Sequence, residues 1–374
     1  MSLAMTALPD APAAQSGHTR PAPAKPVLQL VGVKKIFGDF AAVDGIDVDI
    51  KEGEFVTIVG PSGSGKTTLL RMLAGMEAPT HGYITLRGEL MNDVPADKRP
   101  TCLVFQSLAL FPHKTVGENI EFALKVRKIA PAVRKERALE LMRMVRLPES
   151  YYGKNVMRCS GGEKQRVALA RAFAYDPDVL FFDEPLSALD YKLKKALEKE
   201  LKDLHRESGK TFVYITHSLE EAMVMSDRIG VMSRGKIVQI GTPEDIYTKP
   251  ANRFVAEFFG EVNSFAVTKR GGAWFTSEGL PVRVAHEQSI SGDEATVIVM
   301  PETMRIIDPQ SRADNVIKGK IYNEYSLGSR IQYQIHAGER IYLVEAPRAA
   351  VGHIAAGEEV SIGWDAADAI VVGD

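Results

Sequence analysis

A chain of 374 residues, 45% of them hydrophobic and 25% charged, is long enough for two or three domains that each bury a core. Its 46 basic residues against 48 acidic ones leave a net charge of −2, which gives no electrostatic reason to expect nucleic acid as a partner. The two cysteines, Cys102 and Cys159, make neither a disulfide framework nor a metal cluster, and no apolar run reaches the ~18 residues of a membrane span.

Residues 1–26 place Pro9, Pro12, Pro21, Pro23 and Pro26 among alanines. They hold too little bulky apolar matter to pack and read as a disordered leader. From Val27 the texture turns to strands, over residues 27–31 and 42–50. Between them Phe37 precedes Gly38 at a turn. Spacing alone leaves that ring either against a purine or in the core.

Residues 55–59, Phe-Val-Thr-Ile-Val, form a short β-branched run, and residues 68–74 have helical composition. Between them Gly60, Pro61, Ser62, Gly63, Ser64, Gly65, Lys66, Thr67 and Thr68 spell G-x-x-x-x-G-K-[ST], a loop that cradles phosphates. The glycines let successive N–H groups converge on one centre, and the helix that follows adds its positive end. Lys66 is placed to reach the β- and γ-phosphates and Thr67 to offer its hydroxyl to Mg²⁺.

Further strands are expected at residues 83–86 and 102–105, the second ending at Gln106. The Thr115 to Glu118 spacing is that of a capping box, and Ala138, Leu141, Met142 and Val145 recur at helical intervals. These mark a helical insert within about 107–160, with a basic face (Lys125, Arg127, Lys128, Arg134, Lys135, Arg137) that is either solvated or a partner surface. Ser160, Gly161 and Gly162 then open a helix running to Ala174. By spacing they are a plain helix cap, with a second anion seat as the sharper alternative.

Residues 179–182 are wholly apolar and deliver Asp183 and Glu184 at their end, the pattern of a buried parallel strand. Carboxylates there need a cation or hydrogen bonds. Asp183 therefore reads as the outer Mg²⁺ ligand and Glu184 as a proton acceptor for attacking water. A turn through Asp190 leads into a charged helix, 192–208. The strand 211–216 ends at His217, and Ser218 with Glu221 starts another helix. Four strand ends carrying chemistry, at the phosphate loop, Gln106, Asp183-Glu184 and His217, define one sheet edge as a site. After Gly260 short alternating strands broken by Gly, Pro and Asp, with both tryptophans, Trp274 and Trp364, indicate a small all-β, barrel-like unit over 261–374.

Together these residues resemble the ATP-binding subunit of an ABC-type importer, from Val27 to the C-terminus. The resemblance implies an α/β P-loop nucleotide-binding domain with a helical insert, residues 27–260, followed by a small all-β domain like an OB barrel, residues 261–374. It implies ATP and Mg²⁺ as ligands, with Phe37 on adenine, Gly60 to Thr68 as the phosphate loop, Gln106 near the metal, and Asp183 and Glu184 as ligand and base. His217 is then the switch histidine near the γ-phosphate, and Ser187 to Asp190 the loop that follows the base. Ser160-Gly161-Gly162 is the signature that completes the site of a second copy. The implied partners are that second ATPase subunit, membrane permease subunits and, indirectly, a periplasmic solute-binding protein, at the cytoplasmic face of the inner membrane. Residues 241–247, 259–263 and 325–330 look most like the polyamine (spermidine/putrescine) branch. Three positions depart from the family pattern: Cys159 for Leu, Glu163 for Gln and Ser218 for Asp.

Overall fold

The computed structural model describes residues 26–285, 292–307, 312–349 and 354–373. The expected leader therefore lies outside the described residues, except Pro26. That residue opens the first strand and pairs with Lys51, because a proline is tolerated at the first position of a strand.

The chain begins with β1 (Pro26–Phe37), β2 (Phe40–Lys51), β3 (Phe55–Val59), α1 (Lys66–Leu73), β4 (His81–Leu86), β5 (Glu89–Leu90) and β6 (Thr101–Val104). The insert supplies α2 (Val116–Ile120), α3 (Phe122–Val126) and α4 (Pro131–Met144). Then follow α5 (Gly161–Ala174), β7 (Val179–Asp183), α6 (Tyr191–Ser208), β8 (Thr211–Ile215), α7 (Leu219–Met225), β9 (Arg228–Ser233), β10 (Lys236–Gly241), α8 (Pro243–Thr248) and α9 (Arg253–Phe259).

The central sheet runs β10-β9-β3-β8-β7-β6 and is parallel apart from the β9–β10 hairpin. All five residues of β3 and of β8 are buried, as are the first four of β7. These uninterrupted apolar runs arise because helices or a second sheet cover both faces of a parallel sheet. One face packs under α1 and the antiparallel sheet β2-β1-β4-β5, sharing Val43, Ile46, Val56, Ile58, Leu69 and Phe181 in one apolar cluster. The other packs against the insert and α5, through Phe182, Phe212, Leu141, Met142, Val167 and Phe173. The periodic Ala138, Leu141, Met142 and Val145 are all buried in that second cluster, as their spacing requires.

Beyond α9 the described residues are strands: β11 (Asn263–Arg270), β12 (Ala273–Thr276), β13 (Pro281–Val282), β14 (Glu294–Val299), β15 (Arg305–Ile307), β16 (Asn315–Ser326), β17 (Arg330–Ala337), β18 (Arg340–Pro347), β19 (Glu359–Trp364) and β20 (Ile370–Val372). Two five-stranded antiparallel sheets, β13-β12-β11-β14-β20 and β15-β19-β16-β17-β18, close over one core that contains Trp274, Tyr333 and Trp364. This all-β unit joins the first through Ala256 of α9 packed with Ile298 and Val372, and through the Tyr247 hydroxyl donating to Glu302.

Candidate functional site

Because β3, β8, β7 and β6 are parallel neighbours, their carboxyl ends lie on one edge in the order phosphate loop, His217, Asp183-Glu184, Gln106. That is where open α/β sheets bind ligands. A cavity of about 510 Å³ opens there, lined by Phe40, Ala42, Ser62 to Thr68, Glu184 and His217.

The loop's shape depends on Gly65, which has φ 101° and sits against strand β2. A Cβ built on it would fall 2.1 Å from the Ala42 carbonyl oxygen. No side chain fits that approach, and only glycine takes that dihedral without strain. Lys66 folds its ammonium back onto the loop, donating to the carbonyls of Gly60 at 2.8 Å and Pro61 at 3.0 Å. Burial pulls its pKa below the ordinary lysine value, against the opposing pull of Glu184 and Asp183. Thr67, by contrast, is exposed at the start of α1.

At the end of β7, burial and then the neighbouring charge of Glu184 push the Asp183 carboxyl above its usual range, while Lys66 and Arg71 pull it down. Its oxygens have no hydrogen-bond partner among the described residues. One carboxylate, the Thr67 hydroxyl and the Gln106 amide oxygen make a sparse oxygen set, and no group of three or more His, Cys, Asp or Glu among the described residues could hold a metal. Such a set fits Mg²⁺, which keeps waters and takes phosphate oxygens in preference to a cage of side chains.

Glu184 adopts φ 45°, a left-handed conformation that is strained for a residue with a Cβ. Two contacts hold it there. Its N–H donates to the Ile215 carbonyl at 2.9 Å, and its own carbonyl accepts from Ser187 Oγ at 2.9 Å. Gln106 Nε2 in turn donates to Ser187 Oγ at 3.0 Å. The carboxylate meets His217 Nδ1 at 3.0 Å. Hydrogen bonds therefore link Gln106, Ser187, Glu184 and His217 along the edge, but only Glu184 and His217 share the cavity lining with the phosphate loop, while Gln106 and Asp183 lie outside that lining.

Not every expected residue enters this cavity. Phe37 is half-exposed with the Lys35 ammonium 5.0 Å from its ring centroid, and it is Phe40, its register partner across the turn, that lines the space. Ser160, Gly161 and Gly162 lie at the start of α5, outside the cavity. Ser160 Oγ accepts the Glu163 N–H at 3.3 Å and the Glu163 carboxylate accepts the Ser160 N–H at 2.8 Å, a complete capping box. Gly162 packs so closely on α6 that an added Cβ would lie 3.0 Å from Leu193. Asp190 caps α6 through the Leu193 N–H at 3.1 Å and is exposed. Ser218 caps α7 as expected, but Glu221 does not return the bond: its carboxylate turns inward to Tyr214 and Lys194. The insert's basic face is partly engaged, with Arg134 paired to Glu121 and Arg127 3.9 Å from the Tyr175 ring centroid.

A phosphate cradle, a carboxylate at the end of the next strand but one and a histidine-held glutamate define a P-loop nucleoside triphosphatase. Comparison with known proteins narrows this. The ABC transporter family pattern matches residues 43–187, and the TOBE domain pattern matches residues 297–372. A spermidine/putrescine import ATP-binding protein PotA from Mesorhizobium japonicum is 45% identical over 327 residues, covering 85% of this chain and 89% of its own. One of the same name from Bacillus cereus is 51% identical over 263 residues, covering 70% and 80%. Among solved structures, a dimeric post-hydrolysis ATP-binding cassette bound to ADP and Pi is 33% identical with a TM-score of 0.51, covering 58% of this chain and 98% of its own. The cbiO1 protein of Clostridium perfringens, part of an ABC transporter complex, is 26% identical with a TM-score of 0.55, covering 59% and 90%. This chain belongs to the ABC transporter family and is one of its ATPases.

Proposed function

We propose that this protein is the ATP-binding subunit that energises polyamine import. Its work is done as a pair of copies, docked on membrane permease subunits at the cytoplasmic face and served by a periplasmic solute-binding protein. Support for the solute comes from relatives named for spermidine and putrescine import at 45% and 51% identity. Among the described residues no helix is long and apolar enough to cross a membrane, so the bilayer-spanning path is assigned to separate subunits.

The observation that carries the ATPase mechanism is the Glu184–His217 contact facing the phosphate loop across one cavity. The loop N–H groups and Lys66 take the phosphates, and Lys66 exchanges the Gly60 and Pro61 carbonyls for phosphate oxygens. Mg²⁺, when bound, supplies charge neutralisation between the phosphates, and Thr67 and Asp183, with Gln106 beside them, would hold it. Glu184 orients the attacking water and takes its proton on the carboxylate, while His217 and Ser187 hold Glu184 in its strained conformation. Most of the rate enhancement then comes from positioning and electrostatics. Phe40, which lines the cavity, and Phe37 across the turn from it offer ring faces to adenine. Ser160, Gly161 and Gly162, with Asp190, face the nucleotide of the second copy. Residues 261–374 form the regulatory unit.

The test is reconstitution of the chain with its permease in vesicles that enclose the cognate binding protein. Stimulation of ATP hydrolysis by spermidine or putrescine is expected. Stimulation only by a sugar or ferric iron would overturn the solute, and absence of phosphate release under every condition would overturn the ATPase.

A further inference from the structure

Glu221 is 2% exposed, yet it carries a charge that plays no part in the nucleotide contacts described above. Its Oε1 lies 2.5 Å from Lys194 Nζ, and its Oε2 accepts from the Tyr214 hydroxyl at 2.7 Å. One buried carboxylate thus joins three elements: α7, which begins just after His217; α6, which begins just after Asp190; and β8, which ends just before His217. A second pair runs parallel to it, Lys195 to Glu220 at 2.7 Å, and Lys202 Nζ donates to the Val224 carbonyl at 2.6 Å further along the same two helices.

The geometry of these contacts has a direction. Lys194 and Lys195 sit in the first turns of α6, and Glu220 and Glu221 in the first turn of α7. The clamp therefore holds the two helix starts, and with them the segments 184–190 and 216–218 that precede them. Those segments carry Glu184 and His217, whose mutual contact is only one hydrogen bond long. Surface ion pairs add little stability, and replacing a buried pair by apolar residues is often neutral or stabilising. Stability alone thus gives no reason to pair a partly exposed lysine with a buried glutamate here, whereas fixing one register between two helices does.

We propose that Lys194 and Glu221 are positioning residues that lock α6 to α7 and so hold His217 against Glu184 for hydrolysis. The inference rests on the reading of Glu184 and His217 as the hydrolytic pair, and the experiment separates the two. Single-turnover hydrolysis and ATP affinity are measured on the full chain for Glu221→Gln, Lys194→Met and His217→Ala, and for each of the first two combined with His217→Ala. Thermal unfolding is followed in parallel. Glu221→Gln and Lys194→Met are each expected to slow the hydrolytic step by about tenfold, a coupling typical of contacting residues, with ATP affinity unchanged. On the His217→Ala background neither should slow it further, because the contact they hold is already gone.

Effects that multiply with His217→Ala would overturn the inference, since a general loosening of the fold acts whether or not the histidine is present. An unchanged rate in both single variants would overturn it as well. Should either single variant fail to fold, the double variant Lys194→Met with Glu221→Gln, which leaves no unpaired buried carboxylate, carries the same comparison. If His217→Ala itself left the rate unchanged, the reading of the hydrolytic pair would fall instead.

Discussion

His217 Nδ1 stands 3.0 Å from Glu184 Oε2, across 33 residues of sequence. Adjacent parallel strands bring the two together, since Asp183 of β7 pairs in register with Ile215 of β8. The residue after one and the second residue after the other then meet at the sheet edge. The Glu184 N–H donating to the Ile215 carbonyl extends the ladder one step past its regular end. That step gives the glutamate its left-handed turn toward the cavity.

Glu184→Gln keeps the shape and the hydrogen-bonding capacity of this side chain but cannot take a proton from water. Turnover should fall by about 10²–10⁴-fold, the usual worth of a general base. ATP should still bind, because the phosphate loop and Lys66 are untouched. Phosphate-release kinetics together with calorimetric binding check this, and near-normal turnover would remove Glu184 from the mechanism.

Asp183 is a carboxylate held at a cost, without hydrogen bonds among the described residues and raised in pKa by burial and then by Glu184. A carboxyl raised above its unfolded value subtracts stability at neutral pH, and the penalty disappears as acid protonates it in both states. Asp183→Asn should therefore raise the melting temperature of the nucleotide-free protein, by about 2–4 °C for each kcal/mol relieved. The further rise that Mg²⁺ with ATP gives the parent protein should be lost. A lower melting temperature without nucleotide would show that the carboxylate is compensated by contacts not assigned to it.

The four strand ends that share one sheet edge were legible because each closes a mostly apolar run, which parallel strands under covered faces produce, although β6, last in the sheet, is only partly buried. What escaped lies between motifs. Ser187 bridges Gln106 to the Glu184 carbonyl, and no local pattern announces a hydroxyl that serves two partners. Phe40 lines the cavity where Phe37 was expected, and only hairpin register reveals it. β1 extends to Phe37, beyond the expected residue 31, through register shifts between Leu30 and Ile36 that break the alternation by which a strand is recognised. The twelve-residue strand β16 was missed because Lys318, Gly319, Lys320, Asn323 and Glu324 break up its apolar residues, even though Ile321 is buried in the core.

Both thiols should be slow to react. Burial pushes Cys102 up to about 11 and raises Cys159 as well. At pH 8 Cys102 is therefore about one part in a thousand thiolate, the reactive form. Cys102 is only partly buried and Cys159 is buried, so iodoacetamide should modify both slowly in the folded chain and fast on unfolding. Cys159, next to Ser160, should react more slowly still once ATP closes two copies together. Peptide mass spectrometry of timed samples reads both sites, and equal labelling of Cys159 with and without ATP would count against its lying at that seam.

The substitution of Glu163 for the family's glutamine puts a negative charge at the helix start that we propose faces the second copy's triphosphate, and the structure supplies its counterion. Lys154 Nζ lies 3.2 Å from Glu163 Oε2 and 3.7 Å from the Tyr151 ring centroid. The Lys154 carbonyl accepts the Val116 N–H at the start of α2, so the lysine sits between two capped helices. The Ser160 N–H, and then Lys154, hold the Glu163 carboxyl below its usual range. A depressed carboxylate adds stability above its unfolded pKa, about 4.3, and that share is lost as the pH falls through the lower folded value. The pair is partly solvated, so the loss should be small, about 0.5–1 kcal/mol with the cap included. Denaturant unfolding at stepwise lower pH should show that slope in the parent and not in Glu163→Gln. The functional consequence is asymmetric. Lys154→Ala should weaken ATP turnover in the parent, where it leaves a bare carboxylate beside the phosphates, and should cost much less in Glu163→Gln, where no charge remains to be balanced. Equal losses on both backgrounds would show that Lys154 acts independently of Glu163.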